Sequence, residues 1–419
     1  MRLRIFGAVC MMILLAGCYG SREISSENLS SLYHQGEHLF HPEFSVYHFT
    51  PDSAHLFIKL NTEEFLKIRQ ADDGFLALFS IRCRLVESYE SSVTLDSTGA
   101  DFSAGPANEQ TKMKLLIVDF KVPKQGDFLL SCSVIDRNKK VIEDFYINVA
   151  HNSRQSRQNF LATSAATGLP LMRNYISATD SFRISFRDYE VKKIFVRMYT
   201  RHFPLAAPPY SFDIHNDFDY KPDSSFTITN DDSTVLNFPS EGIYHFQVDT
   251  SSYDGLSLYR FNGGFPAVTT PDQMIEATRY ITSKKEFEEL STNPQKKVAV
   301  DKFWLDIGGN PDRTRTLIKK YYSRIQEANR LFSSFTEGWR TDRGMVYIVF
   351  GPPNFVYKSS TSESWIYGQP NNAMSLNFFF PRVNNPFTDN DFSLSRAPIY
   401  ESSWFRAVDL WREGRAFGY

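Results

Sequence analysis

Cysteine, excess charge and long apolar runs are all scarce in this chain, and each shortage excludes something. There are 4 cysteines in 419 residues. Cys10 and Cys18 lie near the N-terminus, so Cys83 and Cys132 are the pair left for the body of the protein. A formal net charge of -2 argues against a general nucleic-acid binder, which presents a basic face. Beyond the N-terminus no segment is apolar for the ~20 residues that a membrane-spanning helix takes. The short signatures of enzymes are missing as well. There is no H-E-x-x-H, no G-x-S-x-G, no P-loop, no G-x-G-x-x-G after a strand and no paired-cysteine metal motif. Catalytic residues, metal ions and cofactors are therefore not expected, although hydrolases built on two carboxylates leave no short signature.

What is present begins with a leader. Arg2 and Arg4 precede an apolar run over residues 5–17 that ends Leu14-Leu15-Ala16-Gly17-Cys18. The run is too short to span a bilayer and fits a signal peptide. Small residues before a cysteine make a bacterial lipobox, so residues 1–18 read as a lipoprotein signal peptide with Cys18 as the lipidated residue. Acyl chains there would anchor the protein at ~0.8 kcal/mol per buried CH₂. Tyr19-Gly20-Ser21-Arg22 lacks an acidic export run, which favours the outer membrane with the protein facing the periplasm. Residues 19–42 are polar and serine-rich and read as a tether. His34-Gln35-Gly36-Glu37-His38 fits H-x-x-E-H in form, but Gly36 weakens the helix that motif needs. With His41 and His48 these are taken as scattered histidines, not metal ligands.

Alternating apolar and polar residues then dominate. Strands are expected near 54–60, 74–86, 114–122, 126–135 and 141–149, with a helical turn at 63–69, giving one β-sandwich over residues 43–150. A second, over 151–265, has strand candidates at 181–186, 193–200, 225–229, 242–250 and 256–261. A repeat joins them: Pro123-Lys124-Gln125-Gly126-Asp127-Phe128 aligns with Pro239-Ser240-Glu241-Gly242-Ile243-Tyr244. A proline-glycine turn feeding a strand with an early aromatic resembles an immunoglobulin-like sandwich, where a tyrosine packs the corner. Cys83 and Cys132 share the inward parity of their strands. The repeat places Val248, a plain core residue, opposite Cys132, which tilts the reading towards buried thiols over a disulfide. Asp213, His215, Asp217 and Asp219 share one strand face and read as an acidic, solvated loop.

Residues 266–419 change character. Helices are expected at 272–280, 283–290, 295–307 and 313–335, the last ending at Gly338. Strands are expected at 345–350, 363–367 and 376–380, with a possible fourth at 392–394. The fold class is thus mainly β with a C-terminal α+β domain: two tandem immunoglobulin-like sandwiches, then helices and a small antiparallel sheet. At the junction stands Gly338-Trp339-Arg340-Thr341-Asp342-Arg343-Gly344, followed by residues 345–353, MVYIVFGPP. This resembles the signature of the GWxTD-domain proteins, found in lipoproteins of Bacteroidetes-like bacteria. The resemblance implies an envelope lipoprotein and little about chemistry. Turn and core roles account for the motif residues, and a cleft beside Trp339, Asp342 and Arg343 is the candidate ligand site. The tail places Trp404, Val408 and Trp411 on one helical face. Trp404 and Trp411 are therefore candidate partner contacts, on the expectation that the tail docks to another envelope protein. The functional reading is a non-enzymatic component of an envelope complex for protein assembly or secretion. The alternatives are a glycan- or peptide-binding lipoprotein and a hydrolase centred on Asp342.

Overall fold

In the computed structural model, residues 23–70, 74–106, 112–212 and 218–416 are described. The leader with Cys18 and most of the acidic stretch at 213–219 lie outside them; Asp219, within them, pairs with Arg201.

Strict alternation builds the first lobe. β1 (Glu43–His48), β2 (Ser53–Asn61) and β6 (Met113–Lys121) form an antiparallel sheet in the order β1-β2-β6. The facing sheet runs β3 (Lys67–Arg69), β4 (Phe75–Val86), β7 (Gly126–Asp136) and β8 (Val141–His151), with β5 (Thr94–Ala104) paired along β4. Every second residue points inward: Leu56, Ile58 and Leu60 from one sheet, Phe79, Ile81, Leu85, Leu130 and Val134 from the other. Cys83 and Cys132 are direct partners across β4 and β7 and form a disulfide. This corrects the expectation of free thiols. The repeat reports that position 132 is buried, but not which residue of the neighbouring strand faces it.

The second lobe holds a hairpin of β9 (Phe160–Ser164) and β10 (Phe182–Phe186). Beside it lies an antiparallel sheet of β11 (Lys193–Tyr199), β12 (Ser224–Thr229), β13 (Gly242–Gln247) and β14 (Leu256–Arg260), in the order β12-β11-β13-β14. Its core gathers Ile184, Phe186, Ile194, Val196, Tyr244 and Phe246. The repeat has a backbone cause. Gly126 and Gly242 open β7 and β13 with φ of 152° and 149°, a conformation that only glycine adopts without strain. The Tyr244 hydroxyl donates to the Ser240 carbonyl at 2.8 Å and pins that turn.

The third lobe begins with α1 (Pro271–Ala277) and α2 (Lys284–Thr292), each started by a capping box, Thr270 with Gln273 and Ser283 with Glu286. α3 (Lys296–Gly308) and α4 (Pro311–Phe332) follow; Asn310 caps α4 and Pro311 takes its first turn. α5 (Asp342–Phe350) comes next, then the antiparallel sheet β15 (Phe355–Lys358), β16 (Ser362–Tyr367), β17 (Leu376–Pro381), and finally α6 (Glu401–Arg412). Phe392, expected in a possible fourth strand, makes only an isolated bridge to Arg382.

Two expectations fail here. Residues 345–350 are helix, not strand, because the whole of 343–350 is buried. A helix enclosed on all sides needs no polar face, so its β-branched and aromatic residues carry no helical period. And α4 stops at Phe332; Gly338 opens a short 3₁₀ turn, Gly338–Arg340, in place of a left-handed cap.

The supposed tether is also corrected from residue 23 onward. Ile24, Leu29 and Tyr33 are buried in the core of the third lobe, and Phe40 in that of the first. The Leu29 N–H donates to the Val356 carbonyl at 2.8 Å, and the Ser25 N–H to Tyr89. Short 3₁₀ turns, Ile24–Ser26 and Ser30–Tyr33, let a serine-rich sequence place Ile24 and Tyr33 inward; a third turn, Gln35–Glu37, buries none of its residues. The H-x-x-E-H histidines sit on these turns with separate partners, His34 on the Ser30 carbonyl and His38 on Glu143. No described helix is long and apolar enough to cross a membrane.

Candidate functional site

The signature stretch is the crossing point of α4 and α5, and each of its residues has a definable physical task. A Cβ on Gly338 would fall 1.9 Å from the Ala328 carbonyl oxygen, and one on Gly344 would fall 1.9 Å from that of Gly338. Both positions therefore need glycine so that backbones can touch. Trp339 is 4% exposed. Its backbone N–H donates to Asn329 at 3.1 Å, its carbonyl accepts from the Tyr280 hydroxyl, and its indole N–H donates to Glu337 at 3.2 Å. Thr341 is the N-cap of α5: its hydroxyl oxygen accepts from the Gly344 N–H at 3.1 Å. Such a cap satisfies a donor that the first helical turn leaves orphaned.

Asp342 and Arg343, adjacent in sequence, serve two different clamps. Asp342 accepts from the Leu394 N–H at 2.7 Å and pairs with Arg396, which also donates to the Ala207 carbonyl at 3.2 Å. It thus ties the start of α5 to the segment before α6 and to the second lobe. Arg343 points the other way. It donates to Glu363 at 2.9 Å and to the Asn390 carbonyl at 2.9 Å, and its guanidinium lies 4.1 Å from the Phe392 ring centre.

Glu363, fully buried on β16, is the focus of a charged cluster. It accepts from the Tyr33 hydroxyl at 2.7 Å, the Trp365 indole at 3.1 Å and Arg343, and it pairs with Lys358 at 2.9 Å. Burial alone would raise its carboxyl; Lys358 and Arg343 outweigh burial and bring it down to about 2. Burial alone would lower Lys358, and Glu363 holds it above its ordinary value. A hydrogen-bonded ion cluster of this kind loses its compensation when one member is removed.

On the Arg340 side of the motif a cleft of about 620 Å³ is lined by Phe335, Glu337 and Arg340 together with Tyr199, Arg201 and Gln273. The space at Trp339, Glu337 and Asn262 is about 10 Å³, enough for one water at most. Of the residues expected to border a ligand cleft, Trp339 lines this small space, and Asp342 and Arg343 are engaged by the partners described above. Trp404 and Trp411 are 4% and 0% exposed and face the core, while Phe405 on the same helix is exposed. Removing the Trp339 side chain should cost about 3–5 kcal/mol, as for other large buried aromatics. Urea unfolding of Trp339→Ala in the chain lacking its first eighteen residues checks this; a parent-like midpoint would make Trp339 a contact residue instead.

A larger space lies where the three lobes meet. A cavity of about 670 Å³ is lined by Tyr89 and Tyr146 of the first lobe, Arg157 and Tyr259, and Lys358, Arg382 and Asp389 of the third. Arg157 bridges to Asp389 at 2.5 Å, and the Tyr259 hydroxyl donates to the Phe387 carbonyl at 2.6 Å. Its lining combines aromatic rings and aliphatic side chains with arginines and the carboxylates of Glu87, Asp127 and the half-buried Asp389. Local sequence patterns do not foretell it, since its residues come from three lobes. Among the described residues no group of three or more histidine, cysteine or acidic side chains is arranged to hold a metal ion.

Comparison with known proteins adds one match. No curated protein matches the chain. The GWxTD domain family matches residues 242–413, from the first residue of β13 to the residue after α6. The five residues that give the family its name stand at 338–342, where two glycine-dependent backbone contacts, a buried indole, a helix cap and a carboxylate clamp are assembled. Residues 242–413 of this chain carry the match to the GWxTD domain family, which takes in β13 and β14 as well as the third lobe.

Proposed function

We propose that the protein is a lipoprotein anchored through Cys18 in the outer membrane, facing the periplasm, and that it works there as a non-enzymatic interaction component of an envelope complex for protein assembly or secretion. The observation that carries this reading is the use made of the signature's polar groups. Thr341, Asp342 and Arg343 are engaged in a cap and two internal clamps, which suits a framework better than a reaction centre. Asp342 in particular is held by Arg396 and a backbone N–H, an arrangement that favours a spectator carboxylate over a hydrolytic one.

Cys18→Ser should move the protein from the membrane fraction to the soluble fraction of cells. Unchanged partitioning into detergent would refute the anchor. Affinity purification of the anchored protein from detergent-solubilised membranes, followed by mass spectrometry, should recover a defined envelope partner, and recovery of the bait alone would count against the complex.

A second reading, a glycan- or peptide-binding lipoprotein, is favoured by the cavity between the lobes. Its volume lies within the range of ligand sites, roughly 300–1,000 Å³.

A further inference from the structure

We infer that the outer face of the five-stranded sheet of the first lobe, around Arg84 and Ser97, lies against the headgroup layer of the lipid bilayer. The inference rests on the Cys18 anchor proposed above and follows from the length of the leash. Five peptide steps separate Cys18 from Glu23, and Ile24 is already buried in the core. At 3.8 Å per step the leash spans at most about 19 Å, whatever its conformation. A compact chain of this length has a radius of gyration of roughly 22 Å. The anchor is therefore shorter than the body's own radius, and the side where the chain emerges is the side that meets the membrane.

That side has an identity. Ile24 and Glu27 lie over a groove of about 550 Å³ whose other walls are residues 82–84 of β4, residues 97–99 of β5, Ser131 and Ser133 of β7, and Asp144 and Tyr146 of β8. These are mostly the outward residues of strands whose alternate residues, Ile81, Cys83, Leu85 and Cys132 among them, fill the core. The groove carries Arg82, Arg84, Glu27 and Asp144, two charges of each sign, among serine and threonine hydroxyls. Its apolar lining, Ile24 and Tyr146, is buried or half-buried, and Ile142, two positions before Asp144 on the same side of β8, is exposed. Mixed charges and hydroxyls match a zwitterionic headgroup, whose phosphate and ammonium each find an opposite charge and hydrogen-bonding partners. A strongly anionic surface would instead be met by a basic face.

The opposite sheet provides a control within the same lobe. Ile117, on the outward side of β6, is exposed and points away from the groove across the thickness of the sandwich. Variants with one added cysteine, Ser97→Cys or Ile117→Cys, would be labelled with a fluorophore in the full, lipidated chain with the Cys83–Cys132 disulfide intact. Each would be reconstituted into phosphatidylethanolamine-rich vesicles containing a headgroup-attached quencher. Strong quenching at 97 and weak quenching at 117 is expected. Inserting twenty glycine and serine residues after Gly20 should erase the difference, because the flexible leash then reaches ~25 Å or more on average. Equal quenching at the two sites with the natural leash, or stronger quenching at 117, overturns the orientation while leaving the anchor standing. Failure of the lipid-modified protein to float with the vesicles would overturn the anchor itself, and the orientation with it.

Discussion

Glu363→Leu should destabilise the protein by about 3–5 kcal/mol, the usual cost of leaving buried charges without their partner. The substitution strands Arg343 and Lys358 and removes the acceptor of the Tyr33 hydroxyl and the Trp365 indole. The triple variant Glu363→Leu, Arg343→Met, Lys358→Met should recover much of that loss, since apolar groups of similar size replace buried ion clusters at little cost. Acidification probes the same cluster. The folded-state carboxyl lies at about 2, below its ordinary value of 4.5. Its contribution is therefore complete above pH ~4.5 and is lost as the pH falls through ~2. Glu363→Gln should flatten the stability profile in that window and leave it unchanged in shape near neutrality. An acid limb as steep in the variant as in the parent would show that other carboxylates control it.

Losing α6 should be more damaging still. Trp411 is wholly buried; its indole N–H donates to the Val349 carbonyl at 3.0 Å, its ring meets Tyr321 edge-on at 5.2 Å, and the Arg324 guanidinium lies 5.1 Å from its centre. Trp411→Ala should cost about 3–5 kcal/mol. Deleting residues 401–419 also uncovers Phe350, which Trp404 covers. That truncated chain should be unfolded or aggregated at a temperature where the parent is native. Such an outcome reverses the behaviour expected from sequence, in which the tail was a detachable docking element. Circular dichroism melts of the parent, Trp411→Ala and the truncation decide it. A truncation that melts with the parent would return the helix to the surface.

What was legible in the sequence was whatever has a local cause. The β alternation of the first lobe, the capping box at Ser283 and Glu286, the glycine-led repeat and the last helix all follow from short-range rules. Residues 345–350 misled because their environment is non-local. In the signature, Thr341 and Asp342 are a helix N-cap and an acid in its first turn, with Gly351-Pro352 as the stop. That start-and-stop grammar was the better signal than the β propensity of Val346, Ile348 and Val349, which measures fit to a half-buried surface more than a backbone preference. The strap at residues 23–42 was hidden for the same reason. Ile24, Leu29 and Tyr33 are widely spaced in a polar run, and their partners are far off in sequence, Val356 for Leu29 and Glu363 and Tyr347 for Tyr33. The ligand-sized cavity between the lobes could not be foreseen from local patterns.

That strap has a consequence for how the molecule comes into being. Tyr33 donates to Glu363 across 330 positions of chain, and the same core closes on Trp411. Loop-closure entropy delays contacts of such separation until the intervening segments are organised. A copy cut short before its last helix cannot complete the lobe that holds its own beginning. The first sandwich has a disulfide and a core of its own and can mature early. The third lobe is finished last, when the strap around residues 24–33 and the helix carrying Trp404 and Trp411 close on one core.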